Sequence, residues 1–206
     1  MEKTEFKHHW EDVYENKNPN EVSWTQNIPQ TSLDLISEFN FPKNASIIDV
    51  GGGDSKLVDF LLADGYTNIT VLDISKKALE KAKKRLGLKA KNIKWIENNI
   101  LDFVPKEDYD IWHDRATFHF LTSNQDISKY VSVVSKHVKK RLIIGTFSNK
   151  GPLKCSGLEI KQYDKNAIGK LLIRDFKLIK SFYIDHQTPF NTIQNFQFSN
   201  LKRVSK

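Results

Sequence analysis

Apolar positions in this chain follow two periods that alternate along its length. Short buried-looking runs, Ser46–Val50 and Asn68–Asp73, flank a stretch from Lys56 to Leu62 whose leucines and valine recur at helical spacing, which predicts a βαβ unit. Downstream, Ser75 is placed to cap a helix over Lys76–Leu86 with Ala78, Leu79, Ala82 and Leu86 on one face, and Gly87 ends it. Ile93–Ile96 reads as a third strand, Tyr109–Trp112 as a fourth and Arg141–Phe147 as a fifth, with an amphipathic helix from Asp126 to Val138 before the last of these. A helix over Asp164–Leu172 and two closing strands, Phe176–Ile184 and Asn195–Arg203, complete the pattern. Ahead of the first strand, Phe6, His9, Trp10, Val13 and Tyr14 form an i, i+3, i+4, i+7, i+8 stripe that breaks at Asn16–Asn20. After Glu21–Gln26, Thr31 or Ser32 is positioned to cap a helix over Leu33–Phe39 that runs up to Pro42. Strands alternating with helices predict an α/β chain with a mostly parallel sheet.

The turn between the first strand and its helix carries the chemistry. Asp49-Val-Gly51-Gly-Gly53-Asp-Ser55 offers backbone without Cβ atoms, and Asp73 ends the second strand at the spacing from which an acid reaches a nucleotide's ribose hydroxyls. A dinucleotide fingerprint would place Gly or Ala where Lys56 stands, and Asp49 and Asp54 occupy the ground that a pyrophosphate would want. A phosphate-binding P-loop is excluded because no Gly-Lys-Ser/Thr follows. The remaining ligand has ribose, adenine and cationic groups, which describes S-adenosylmethionine.

On these residues the chain resembles the class I S-adenosylmethionine-dependent methyltransferases, whose acid-x-Gly-x-Gly turn is similar to Asp49-Val-Gly51-Gly-Gly53, with Ser55 where a third glycine often sits. The resemblance implies a single domain over 1–206, an N-terminal helical arm over 1–40 and a catalytic core over 41–206. It implies a Rossmann-like doubly wound sheet of about seven strands with the last strand antiparallel. It further implies that Trp10, Tyr14 and Trp24 of the arm fold over the cofactor, that Asp49, Gly51, Gly53, Asp73 and Ile74 hold it, and that Ile100 lies against the adenine. Asn99 stands where the family carries an acid, so its amide oxygen would accept from the adenine amine without charge. His113, Asp114 and Arg115 follow the expected fourth strand and are the polar groups best placed at the reacting end. His113 is also expected at the cofactor, and Asp114 or His113 is the candidate base. Within the family, Trp112–Leu121 and the arm look similar to small bacterial relatives of the citrate synthase and elongation factor lysine methyltransferases. That implies a protein lysine or a small molecule as methyl acceptor, with a non-catalytic binding or scaffold protein on the same fold as the alternative.

Composition narrows this further. The 206 residues suffice for one domain with a sizeable core, and 39% hydrophobic with 28% charged residues is ordinary for a globular chain. No run is long and apolar enough to span a membrane, and Met1–Glu5 lacks the apolar segment of a secretory signal, so a cytoplasmic location is expected. The single cysteine, Cys155, excludes an intramolecular disulfide and a cysteine-built zinc site, and no metal is expected. Net charge is +7, but the lysines are scattered, and no base-flipping tetrapeptide follows the fourth strand, so nucleic acid is disfavoured as a partner. The denser run from Lys76 to Lys89 is expected to be a solvated helix face, and oligomeric state is left open.

Overall fold

The computed structural model describes residues 3–204. Met1 and Glu2, with which the arm was expected to begin, and Ser205 and Lys206 lie outside the described residues. Five parallel strands, β1 (Ser46–Val50), β2 (Asn68–Asp73), β3 (Ile93–Glu97), β4 (Tyr109–Arg115) and β5 (Val138–Phe147), join two long later ones, β8 (Phe176–Gln187) and β9 (Ile193–Arg203), in one sheet. Between them β6 (Lys154–Cys155) and β7 (Leu158–Glu159) form a separate small hairpin. The seven-stranded order is β3-β2-β1-β4-β5-β9-β8, and β9, the last strand of the chain, runs antiparallel to both neighbours. This is the expected doubly wound architecture, with its order reversing between β1 and β4.

Side chains alternate across a strand, so each strand feeds two cores. On one face Ile48, Val50, Trp112, Leu142 and Ile144 pack against α5 (Asn124–His137) through Ile127, Tyr130 and Val134. On the other, Ile47, Ile69, Val71, Ile111 and Ile143 pack against α2 (Gln30–Ser37) and α3 (Leu57–Ala63). A third cluster joins Trp10, Val13 and Tyr14 of α1 (Lys3–Asn16) to Ala78 of α4 (Lys76–Leu86).

Several boundaries differ from expectation. Neither Thr31 nor Ser32 caps α2, which starts at Gln30 with no side-chain cap, and Ser32 is buried inside it. The helix expected from Asp164 shrinks to α6 (Ala167–Leu171), because Asp164 turns its carboxylate onto the Asn166 and Ala167 amides. Most consequential, β4 does not end at Trp112 but continues to Arg115, in register with β5 to the Arg115–Gly145 pair. Two extra pairings with β1, Asp49–His113 and Val50–Asp114, provide the reason.

The lysine-rich face of α4 is mostly exposed, as expected, and its N-terminal half also meets the arm. Glu11 of α1 accepts hydrogen bonds from the Lys76 and Lys77 amides and the Ser75 hydroxyl, occupying the positive end of α4. Burial alone would raise its pKa, yet these bonds hold the carboxyl below its ordinary range. Lys77 pairs with Glu15, and Lys81 donates to the Lys17 carbonyl at 2.9 Å. The first turn of α4 and Lys81 thus hold the arm.

Asp114, on the α5 face, receives the Tyr130 hydroxyl at 2.8 Å, while Tyr130 in turn accepts from the Trp112 indole at 3.0 Å. Replacing Tyr130 with Phe leaves a buried carboxylate oxygen and an indole N–H unmatched. It is expected to lower unfolding free energy by about 1–3 kcal/mol. Urea denaturation of the two proteins measures this, and a loss below about 0.5 kcal/mol would show that Asp114 does not need the bond.

Candidate functional site

The chain turns sharply after β1 because Gly51 and Gly53 adopt left-handed φ angles of 67° and 48°. A Cβ on Gly51 would stand 1.7 Å from the Thr117 hydroxyl, and one on Gly53 would meet the Tyr14 hydroxyl at 2.7 Å and Asp73 Oδ2 at 3.1 Å. Glycine is therefore required at both places by conformation and by space. The Gly51 and Gly52 amides donate to the Leu72 carbonyl, which holds the turn against the end of β2.

Above the turn lies a crevice enclosing about 1330 Å³ of empty space, open mouth included. Its floor is the turn and the ends of β1, β2 and β4, and its roof is the arm. Of the residues expected at the cofactor, Trp10, Tyr14, Trp24, Asp49, Gly51, Asp73, Ile74, Asn99, Ile100 and His113 line this one crevice. Gly53 sits at its edge, between Tyr14 and Asp73. The three arm aromatics also pack on one another: Trp10 meets Trp24 at 5.6 Å and Phe120 at 5.3 Å, both edge-on, and Tyr14 meets Trp24 at 6.3 Å. They serve as roof and as arm core together.

Three carboxylates surround the turn. Asp73 is buried and accepts the Ser75 amide at 2.8 Å. Burial, with Asp54 and Asp49 adding to it, pushes its pKa up to about 7 against the bonds from the Ser75 and Gly53 amides. Asp54 is also raised by burial. Asp49 instead has a direct partner: its Oδ1 lies 2.7 Å from His113 Nδ1, while His113 Nε2 lies 2.8 Å from the Ser32 hydroxyl. Asn99 turns its Oδ1 onto the Leu101 amide at 2.9 Å, so the oxygen expected to receive an adenine amine already has a backbone donor.

Of the two candidate bases, Asp114 is placed elsewhere than expected. Because β4 runs on to Arg115, alternation sends Asp114 to the face opposite His113 and Arg115, and it does not line the crevice. Its oxygens accept from Tyr130 and from the Thr117 and Phe118 amides at 3.0 Å, and burial raises its pKa to about 6. Asp114 shapes the turn after β4. His113 does reach the crevice, but both of its ring nitrogens are already partnered. Ser32, which sequence reasoning missed as a site residue, is brought in only by the fold, since 81 residues separate it from His113.

Beyond His113 the crevice is lined by Arg115, Phe120 and Cys155. Burial pushes the Cys155 thiol up to about 12, partly countered by Arg115, so it stays protonated near neutrality. Among the described residues no three His, Cys, Asp or Glu side chains are grouped to hold a metal, and no helix is long and apolar enough to cross a membrane.

Residues 47–141 match the family model of a methyltransferase domain. EEF1A lysine methyltransferase 2 of Danio rerio is 32% identical over 90 residues, which are 42% of this chain; the chain spans only 38% of that relative's length. A SAM-dependent methyltransferase from Anabaena variabilis superposes with a TM-score of 0.76 at 17% identity, over 97% of this chain and 93% of its own. The N-methyltransferase NodS of Bradyrhizobium japonicum, solved with S-adenosyl-L-homocysteine, gives 0.72 at 16% identity, over 95% and 98%.

The raised Asp73 has a measurable sign. A carboxyl whose folded pKa lies above its unfolded value holds its proton more tightly in the folded state, so its contribution to stability falls as pH rises through the folded pKa. Between pH 6 and 8 a group titrating at about 7 removes about 1.4 kcal/mol of stability. Asp73→Asn should remove that slope from the ligand-free protein. Denaturation at both pH values checks it, and parallel wild-type and variant profiles would refute the assignment.

Proposed function

We propose that this chain, which carries a methyltransferase domain on the fold of the SAM-dependent methyltransferases, transfers the methyl group of S-adenosylmethionine to an acceptor that enters beside His113 and Arg115. The observation that carries the reading is the set of acids around the glycine turn, with Asp73 buried at the end of β2 in the same crevice. An anionic phosphate would be repelled there, whereas ribose hydroxyls and a cationic sulfonium and ammonium are complementary to it. When bound, S-adenosylmethionine would supply an electrophilic methyl on a positively charged sulfur.

The chain's own residues would do the rest. Asp73 accepts from the ribose hydroxyls, Ile74 and Ile100 flank the adenine, and Asn99 offers its amide at the adenine edge. Asp49 and the Gly51–Gly53 backbone bound the amino-acid end of the donor, and Trp10, Tyr14 and Trp24 cover it. Excluding water and holding donor and acceptor in line is the main catalytic task in a displacement of this kind. His113, tied to Asp49 and Ser32, fixes the wall of the reacting end and is a positioning residue in this reading. No proton transfer to Asp114 enters, since that carboxylate faces α5. The acceptor classes to which the similar proteins point are a protein lysine and a small molecule, and cytoplasmic methylation is the setting consistent with the lone cysteine.

S-adenosylhomocysteine at about 100 times its Kd should stabilise the protein by about 2.7 kcal/mol, which raises the melting temperature of a chain this size by about 5–10 °C. Asp73→Ala should abolish the shift, and NAD or ATP at the same concentration should give none. Stabilisation by ATP, or an undiminished S-adenosylhomocysteine shift in the variant, would overturn the reading.

A further inference from the structure

One charged group in the crevice has no counter-ion. The Arg115 guanidinium donates from Nη1 to the Trp24 carbonyl at 3.0 Å and makes no other hydrogen bond among the described residues, although it carries five N–H donors. Its Nη2 is shut from solvent and has no acceptor. Among the described residues no carboxylate lies within ion-pairing distance of it. Asp49, whose charge acts on it through space, already holds His113. The face of Phe196, 4.7 Å away, is the remaining contact of note.

The surroundings record the same imbalance. Burial and then the charge of Arg115 push His119 down to about 3, and burial with Arg115 lowers His186 as well, so both imidazoles stay neutral beside it. His119 accepts the Phe147 amide at Nδ1, which places its proton on Nε2, and that N–H is buried without an acceptor. His119 and His186 stand behind the wall, so it is the guanidinium that brings unmatched N–H donors to this end of the crevice, while the end at Asp49, Asp54 and Asp73 offers the reverse. A half-buried cation with no counter-charge beside it favours an anionic ligand.

We propose that Arg115 anchors an anionic group on the methyl acceptor, so that the acceptor is a small acid and not a lysine side chain. The inference rests on the methyltransferase reading for the word acceptor, but its core, an anion site at Arg115, stands on the geometry alone. A carboxylate can take paired N–H bonds from the guanidinium, whereas a lysine ammonium would be repelled by it. The aromatic walls at Trp24 and Phe120 suit an acid with an apolar body. The donor's own carboxylate has the same chemistry, and the experiment must separate the two.

Phenylacetate, its neutral isostere phenylacetamide, and butylamine as a mimic of the lysine side chain are titrated into the protein saturated with S-adenosylhomocysteine, with melting temperature and calorimetry as readouts. Phenylacetate should raise the melting temperature further, while the amide and the amine bind at least about tenfold more weakly. Arg115→Gln should lose the phenylacetate preference and keep its affinity for S-adenosylhomocysteine within about threefold. Equal binding of amine or amide to the wild type, or no phenylacetate binding, overturns the proposal. So does a variant that loses S-adenosylhomocysteine but retains 5′-methylthioadenosine, which lacks the carboxylate, because Arg115 would then grip the donor. Failure of the wild type to take up S-adenosylhomocysteine sinks the methyltransferase reading separately, and phenylacetate binding in the same samples still decides the anion site. Should Arg115→Gln not fold, Arg115→Lys and the wild-type comparison of acid with amide decide it.

Discussion

Three carboxylates held close together around a turn that has no side chains of its own are the constraint to which the rest of this structure answers. Like charges at short range in a desolvated place cannot all remain ionised without a cationic partner. Asp49 finds a hydrogen-bond partner in His113, whereas Asp73 finds only backbone amides and its pKa is pushed up to about 7. The His113 partnership explains the length of β4, since the strand must continue past Trp112 to set an imidazole opposite Asp49. That same continuation turns Asp114 away and brings Arg115 in.

The arm is fastened by equally local chemistry. Glu11 completes the N-terminal turn of α4, Ser32 completes His113, and the Trp24 carbonyl takes an N–H of Arg115. Each contact joins a residue of the first 40 to one that also borders the crevice or supports its wall. The roof and the floor are therefore not independent. A displacement of His113 or Arg115 is felt by the segment that covers the site, which gives ligand binding and arm docking a common set of atoms.

Much of this was legible in the chain before folding. The alternation of short apolar runs with helical stripes gave the parallel core, the family resemblance supplied the antiparallel close, and the turn at Gly51–Gly53 with Asp73 at its distance located the crevice. Where the reading failed, it failed over the parity of one strand. Nothing in Tyr109–Phe118 marks where pairing with β1 stops, because His, Asp and Arg are poor strand formers and only their cross-strand partners keep them extended. An error of three residues in a strand end moved Asp114 from the far face to the site. Ser32 was invisible for a different reason: a serine near a helix start reads as a cap, and its contact with His113 belongs to tertiary structure alone. The lysine run of α4 is mostly exposed, as its pattern suggested, but its docking to Glu11 and Glu15 was invisible because those acids lie some sixty residues earlier in the chain.

The crevice that results is polarised along its length, acids at the ends of β1 and β2 and an uncompensated guanidinium past the end of β4. Each end is unfavourable for the folded protein by itself, since both bury charge that water would solvate better. Their distance apart keeps them from neutralising each other: Asp49 acts on Arg115 only through space, while its oxygen is committed to His113. A ligand set that is cationic at the acid end and anionic at the other would relieve both costs together. The stability that the fold gives up at these positions is thus returned as selectivity in what it binds.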